Sequence, residues 1–469
     1  MGPEIAAIIT LVLYAPALLL LALWGQRDLA QKRRSLEIDS LLPAFKTAAR
    51  RLGFRTARDR RLRGARIEGT IGSSRITAEC AARGLGPWLT TISVQPQPPL
   101  PEDVWLQSHW RGNTSLVDND AASSEPGLDT GDASFDALVA VGGRTATARV
   151  LLVEPARRLI SALARKGVVR LRDGTFVHET VERVWDAGQL IALVHEVLAA
   201  QAAMPRVTDV LTSLADAART DPVAGVRARC LATLLLEQPD QSRITAALDL
   251  ALSDESDAVR VVAATALGER GIPVLREIAK REDGEEEPAA RAIGLLARRL
   301  GSSEIMTILD SALRAGRRTV AFSAIESLGR GDDASACARL EALLRGDDEA
   351  LAAAAANALS FTHAATAEQA LVRALESPSP DVRHAAVRAL GRIGRLASIA
   401  QLNTLLHGKA LDPELTSAVQ QAIAAIQARI PGASPGQVSL AEGEAGHVSL
   451  ASDDRAGQVS LSPTEKQAP

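Results

Sequence analysis

Small and apolar residues recur along the second half of the chain with the spacing of one helix face, and they recur as a unit. In the stretch from Ser377 to Gly394 (SPSPDVRHAAVRALGRIG), a polar turn is followed by Val-Arg, by small residues at every third or fourth position, and by a closing Leu-Gly. This pattern is typical of one inner helix of a helix-turn-helix repeat. The closing leucines lie 33, 33, 28, 31 and 31 residues apart, at Leu234, Leu267, Leu300, Leu328, Leu359 and Leu390. This near-constant step predicts stacked helical repeats.

The pattern predicts a solenoid of about seven helical pairs between residues 205 and 430. The predicted outer and inner helices are 206–219 with 223–237, 243–253 with 257–270, 273–282 with 286–300, 303–315 with 318–329, 334–345 with 348–360, 365–376 with 380–393, and 397–407 with 414–429. Aromatic residues make up only 3% of the 469-residue chain, which suits helices packed through small side chains.

The repeat unit resembles the HEAT family, in particular the short HEAT-like repeats shared with phycobilisome lyases. The matching residues are Asp381, Val382, Arg383, Ala385, Ala386, Leu390, Gly391, Ile393 and Gly394. The third unit (EEEPAARAIGLLARRLG) and the fifth (EALAAAAANALS) depart from the motif because both lack Val-Arg. The resemblance implies an α-solenoid that binds a protein partner and is not an enzyme. The likeness to lyase repeats implies, as an alternative, a chromophore or cofactor lyase or its accessory subunit.

An uncharged apolar run from Ile5 to Trp24 predicts a transmembrane helix, because 20 helical residues cover about 30 Å. Cationic residues follow the run whereas only Glu4 precedes it, so the positive-inside rule predicts a single-pass inner-membrane protein with its N-terminus outside and its bulk in the cytoplasm. A cleaved signal peptide and a buried globular helix are the alternatives. The predicted anchor with its basic flank is 1–34.

A basic collar follows the apolar run. Residues 27–66 contain 13 Lys and Arg against four Asp and Glu, although the whole chain has a net charge of −3. The collar predicts contact with anionic lipid headgroups, with nucleic-acid binding less favoured because no aromatic residues are interleaved, and a solvated helix face as the plain alternative. The candidate membrane-surface residues are Arg27, Lys32, Arg33, Arg34, Arg50, Arg51, Arg55, Arg58, Arg60 and Arg61.

Residues 35–204 predict an α+β domain whose role the sequence does not indicate. Helices are predicted at 38–52, 156–167 and 182–204, and strands at 66–71, 75–81 and 89–95. The stretch 135–152 predicts a strand, a Gly-Gly hairpin and a second strand, and Asp173-Gly174 predicts another hairpin. The segment DTGDASFDALVAVGG followed by PARRLISAL resembles an arrangement in uncharacterised membrane-anchored bacterial proteins, which implies no activity.

Three arginines recur at one repeat position, namely Arg227, Arg260 and Arg383. They either form a ladder with neighbouring acidic caps or line the concave face and contact an acidic partner.

Catalytic, cofactor and metal motifs are not found in the sequence. The seven histidines form no paired-ligand pattern, and the three cysteines lie more than a hundred residues apart. Asp129, Asp132 and Asp136 have the residue type of a metal site without its spacing, so Asx turns are favoured. We therefore expect no catalytic residue, cofactor or metal.

Residues 431–469 are rich in Gly, Ser and acidic residues, a composition that predicts a disordered tail. It contains three similar elements, GQVSL at 436–440, GHVSL at 446–450 and GQVSL at 457–461. These either dock on a partner or on the repeats, or are drifted low-complexity repeats. Taken together, the sequence predicts a membrane-anchored cytosolic scaffold.

Overall fold

The computed structural model describes residues 40–57, 64–82, 88–109, 127–181, 184, 186–237, 241–331, 333–362, 365–406 and 413–429, together with the triplets 438–440 and 448–450. The chain divides into two compact units, Met1–Leu250 and Ala251–Pro469.

An eight-stranded antiparallel sheet forms the centre of the first unit. Its strands are β1 (Arg55–Ala57), β2 (Gly64–Ile71), β3 (Ser74–Ala82), β4 (Trp88–Gln95), β5 (Val104–Ser108), β6 (Val139–Gly143), β7 (Val168–Arg172) and β8 (Thr175–Thr180). They lie in the order β1-β2-β3-β4-β8-β7-β5-β6. The helices of this unit are α1 (40–52), α2 (Ala133–Asp136), α3 (Thr145–Leu151), α4 (Glu154–Ala164), α5 (Ala187–Ala202), α6 (Val210–Thr220) and α7 (Ala224–Leu236), with α8 (Gln241–Ala251) at the boundary.

One face of the sheet is covered by helices. Phe45 of α1, Ile160 of α4 and Val194 of α5 belong to the same buried cluster as Ile92 and Phe176 of the sheet. On the opposite face most of the strand positions between these buried ones are only partly buried and many are polar, although Leu89, Val168 and Glu179 are buried. This alternation is that of an antiparallel sheet with one packed face.

The hairpin predicted at Asp173-Gly174 is confirmed. The two residues join β7 to β8 with φ values of 49° and 70°. Positive φ at both central positions is the requirement of a type I′ turn, whose twist matches that of the strands.

Two elements between residues 96 and 152 differ from the predictions. The strand expected after Gly142-Gly143 is helix α3, in which residues 146–151 are all buried. A helix buried on all sides has no amphipathic period, so its β-branched residues resembled a strand. The structure also has β5 inside the stretch predicted only as polar, paired with β6 and β7. A five-residue strand carries too short an alternation to detect.

The second unit consists of helices in two layers. After α9 (Asp257–Ala266) and a 3-10 helix (Gly268–Gly271), the outer helices are α10 (Ile272–Lys280), α12 (Ser302–Arg314), α14 (Ala334–Leu344), α16 (Ala365–Ala374) and α18 (Leu396–Leu406). The inner helices are α9, α11 (Glu286–Leu296), α13 (Arg318–Gly329), α15 (Glu349–Leu359), α17 (Pro380–Ile393) and α19 (Pro413–Ala428). Each outer helix packs on the inner helix that follows it, and successive inner helices pack on one another. The predicted helical repeats are confirmed, including the two units that lack Val-Arg.

Polar contacts join neighbouring repeats at near-equivalent positions. The Arg318 guanidinium donates to both carboxylate oxygens of Asp348 at 2.7 and 3.2 Å, and the Ser379 hydroxyl donates to Glu349 at 2.9 Å; both pairs are 30 residues apart. A ladder was predicted for the recurring Val-Arg arginines, and these two contacts between repeats are made by other residues.

The predicted membrane-spanning element is wrong. Across the described residues, no helix is both long enough and apolar enough to cross a bilayer. The apolar run Ile5 to Trp24 lies outside the described part of the chain. The predicted fold class is therefore corrected to an antiparallel sheet domain and a helical repeat region, and the single-pass inner-membrane localisation is withdrawn with its anchor.

The tail prediction concerns mostly residues outside the described ones. Two short strands are described there, β9 (Val438–Leu440) and β10 (Val448–Leu450), and they pair antiparallel. They are the Val-Ser-Leu parts of the first two similar elements.

Candidate protein-binding surface

Small residues let the inner helices stack closely in the second unit. A Cβ added to Gly329 of α13 would lie 2.4 Å from the carbonyl oxygen of Ala358 on α15, and one added to Gly391 of α17 would lie 3.2 Å from Ala422 on α19. Backbones at this separation leave no room between helices for longer side chains. The remaining faces of the inner helices therefore carry the exposed residues.

Three consecutive inner helices expose equivalent positions at a constant step of 31 residues. We call this surface the inner-helix face. Three of its four rows are exposed on all three helices, and the row that contains Phe322 is half-buried. The face consists of Thr319, Phe322, Glu326 and Arg330 on or just after α13, Ala350, Ala353, Asn357 and Phe361 on or just after α15, and Asp381, His384, Arg388 and Arg392 on α17. Within each helix the positions are three or four residues apart, so they share one side.

The middle helix of the inner-helix face, α15, carries mostly short side chains. Ala353 and Asn357 have short side chains, whereas the flanking helices carry phenylalanine and histidine, and glutamate and arginine, at the matching positions. Side-chain length alone therefore leaves room above α15 for a segment of another chain. Phe361 closes one end of this row, with 49% of its side chain exposed.

The cationic groups of the face concentrate on α17. The Arg392 guanidinium lies over the Phe361 ring, 5.1 Å from its centroid. Arg388 is exposed one helical turn earlier, whereas Arg330 forms an ion pair with Glu326 on its own helix. An arginine held against an aromatic ring is ordered before a partner arrives, and its donors stay available for a carboxylate. The sequence carried the signal for this cluster, since Arg330, Phe361 and Arg392 keep the 31-residue step of the closing leucines.

The three recurring arginines predicted as partner contacts lie elsewhere. Arg227 is 5% exposed and donates to the Asp221 and Pro222 carbonyl oxygens; half-buried Arg383 donates to those of Ser377 and Pro378. Each thus holds the turn before its own helix. 

Arg260 is 9% exposed and donates to the Leu252 carbonyl oxygen, to Asp257 at 3.0 Å and to Glu277 at 2.9 Å. Partner binding by Arg227, Arg260 and Arg383 remains a prediction.

The basic collar is described only in part. Arg50 and Arg51 are exposed at the end of α1, and Arg55 is exposed on β1. The other candidates, Arg27, Lys32, Arg33, Arg34, Arg58, Arg60 and Arg61, lie outside the described residues. Lipid or nucleic-acid binding by the collar has no support from the structure.

The acidic loop of the first unit is part of a buried ionic network. Asp132 accepts from the Phe135 amide as the N-cap of α2, and from Arg157 Nε at 2.9 Å. Asp136 accepts from the amide and hydroxyl of Thr130, and burial raises the pKa of its carboxyl. Asp129 pairs with Arg229 of α7. The predicted Asx-type role is confirmed for Asp129, which also accepts from the Gly131 amide, and for Asp132, whereas Asp136 accepts from a residue six positions earlier.

Arg157 connects α4 to the first helical pair. It is 2% exposed, and its two terminal nitrogens donate to the two carboxylate oxygens of Asp221, both at 2.9 Å. Asp221 follows α6 and is itself 7% exposed. Beside it, Gly131 and Gly225 approach so closely that a Cβ on either would lie about 2.3 Å from backbone atoms of the other. The turn after α6 is thus locked to the acidic loop.

Within the described ranges, no group of three or more His, Cys, Asp or Glu side chains is arranged to hold a metal ion. The three cysteines are buried, and burial raises the pKa of the Cys230 thiol to about 11.

Comparison with known proteins gives one family match. The family described as HEAT repeats matches residues 338–424, which include α15 and α17. No curated protein matches the chain. Human deoxyhypusine hydroxylase, solved in complex with glycerol, is 18% identical over 46% of this chain and 85% of its own, with a TM-score of 0.20.

Two engineered proteins are also similar. One is 21% identical over 60% of this chain and 78% of its own (TM-score 0.30), and the other 20% identical over 47% and 93% (TM-score 0.19). These TM-scores are too low to argue from. The HEAT resemblance is confirmed by the family match, whereas the phycobilisome-lyase type and the membrane-anchored family are not shown.

Proposed function

We propose that the HEAT repeats of the second unit act as a scaffold that binds a protein partner through the inner-helix face. The main support for this proposal is the exposed pair of Phe361 and Arg392 beside the short side chains of α15. Aromatic and arginine side chains are among the residue types that contribute most of the binding energy at interfaces. Stacked repeats present extended surfaces of this kind.

A binding role suits this surface better than catalysis. The face presents two phenylalanine rings, short side chains on α15 and charged side chains of both signs, which are groups suited to recognising another polypeptide. We therefore propose that the protein is not an enzyme. Nothing in the site favours chromophore attachment over binding.

The experiment compares full-length protein with the F361S/R392S variant as bait in affinity capture, followed by affinity measurement with the purified partner. Burying a phenylalanine ring contributes about 2 kcal/mol to binding. A single variant that lacks the ring, F361A, should therefore weaken the affinity for the partner about 30-fold, and F361S/R392S should weaken it at least as much. The matched control is L236S, which removes an apolar side chain that is 81% exposed in the first unit.

A partner retained by wild type and L236S but lost with F361S/R392S supports the proposal. If every partner binds F361S/R392S as tightly as wild type, the inner-helix face is not the binding surface. Far-UV circular dichroism of the variant checks that the repeats remain folded.

A further inference from the structure

We propose that the acidic part of the chain's own tail, residues 441–454, docks on the cluster formed by Phe361, Arg388 and Arg392. The inference rests on the proposed function, because it names an occupant of the same face. A tail bound there competes with the partner, so that the partner must displace it.

The last described helix ends beside the cluster. Arg429, at the end of α19, donates to the carbonyl oxygens of Gly391 and Gly394 at 2.5 and 2.7 Å. These two residues flank the C-terminal end of α17, next to Arg392. The chain therefore leaves the repeats one arginine side chain away from the helix that carries the cations.

The charge of the following residues complements the cluster. Between residues 430 and 454 the chain has four carboxylates, Glu442, Glu444, Asp453 and Asp454, and no lysine or arginine. On α17, Arg388 and Arg392 are exposed, and their charges are not neutralised by an ion pair on the described residues. Opposite charges that come within a Debye length of each other attract, most strongly at low salt.

The segment between α19 and the acidic residues of the tail is long enough to reach the cluster. Glu442 lies thirteen positions after Arg429, so the connection spans at most about 45 Å, which is several times the length of the cluster. A tether of this length gives an effective concentration on the order of 1 mM, so even weak contacts are occupied much of the time. Similar contacts from a separate molecule need millimolar amounts.

The test uses the full chain and a fluorescein-labelled synthetic peptide of residues 431–469, with binding followed by anisotropy at 20 mM NaCl. In the first variant the tail is neutralised by E442Q/E444Q/D453N/D454N. In the second, R388E/R392E is added to that neutralised tail. The matched control adds R314E/R345E instead, on exposed arginines of the outer helix α12 and of the cap of α14.

The neutralised-tail chain should bind the peptide at least threefold more tightly than wild type, because its own tail no longer competes. R388E/R392E should weaken binding more than tenfold, R314E/R345E less than twofold, and 300 mM NaCl should weaken it in every chain. If R388E/R392E fails to fold, R388Q/R392Q replaces it, with the same direction expected.

Equal binding to wild type and neutralised-tail chains overturns the inference, since the tail would then not occupy its own site. Absence of binding to either chain, or an equal loss in R388E/R392E and R314E/R345E, also overturns it. The proposed function is tested separately, because partner capture that depends on Phe361 stands even when the tail peptide does not bind.

Discussion

Replacing Asp221 by alanine should destabilise the first unit strongly. Asp221 is the bidentate acceptor of Arg157, and both side chains are at least 95% buried. After the substitution Arg157 retains Asp132 and the Leu152 carbonyl oxygen, but it loses two charge-assisted hydrogen bonds in a place that water does not reach. Removing one partner of a buried ion pair costs about 3 to 5 kcal/mol, because the other charge stays buried and poorly compensated.

The five tryptophans make the effect measurable in one unit. They are Trp24, Trp88, Trp105, Trp110 and Trp185, and all five lie in the first unit. Tryptophan fluorescence therefore follows the unfolding of that unit. Urea unfolding followed by fluorescence should show a loss of about 3 to 5 kcal/mol for D221A. The control D216A removes a carboxylate of the same helical pair whose ion pair with Arg219 is more than 60% exposed, and it should change stability by less than about 0.5 kcal/mol.

A double-mutant cycle completes the test. If the energy comes from the ion pair, R157M/D221A should be less destabilised than the sum of R157M and D221A, with a coupling of about 1 to 3 kcal/mol. D221A indistinguishable from D216A, or strictly additive effects in the cycle, would refute the reasoning.

Further predictions concern buried groups. His178 is fully buried, and burial lowers its pKa to about 4 from an ordinary 6.5. As the pH falls from 6.5 to 4, the unfolded chain binds a proton at His178 that the folded chain does not bind, so the free energy of unfolding should fall by about 3 kcal/mol over this range. H178Q should flatten this dependence of the free energy of unfolding on pH, and an unchanged dependence contradicts the prediction. G225A should lower the fluorescence-detected stability by more than about 1 kcal/mol, since its Cβ would overlap the Gly131 backbone, and a neutral result would show that the loop yields. All three cysteines should resist Ellman's reagent in the native chain and react after unfolding; fast native labelling of Cys230 would contradict its burial.

Local patterns predicted most of the repeats. The helix expected at 318–329 is observed as Arg318–Gly329. Each repeat contacts only its neighbours, so every repeat needs the same amphipathic pattern in its own sequence. Helix α3 and strand β5 could not be predicted in this way, since one is buried on all sides and the other is short. The Val-Arg arginines were noticed for their recurrence, yet recurrence did not say that their side chains turn back onto carbonyl groups.

Sequence was sufficient for what depends on neighbours along the chain, which includes the helix period, the Asp173-Gly174 turn and the near-constant step between repeats. Folding in three dimensions decided the rest. The strand order, the partner of Arg157 64 residues away, and the free face of α17 all depend on which distant segments meet. Such meetings are selected by shape and by the need to pair buried charges, and neither quantity is visible in the order of residues alone.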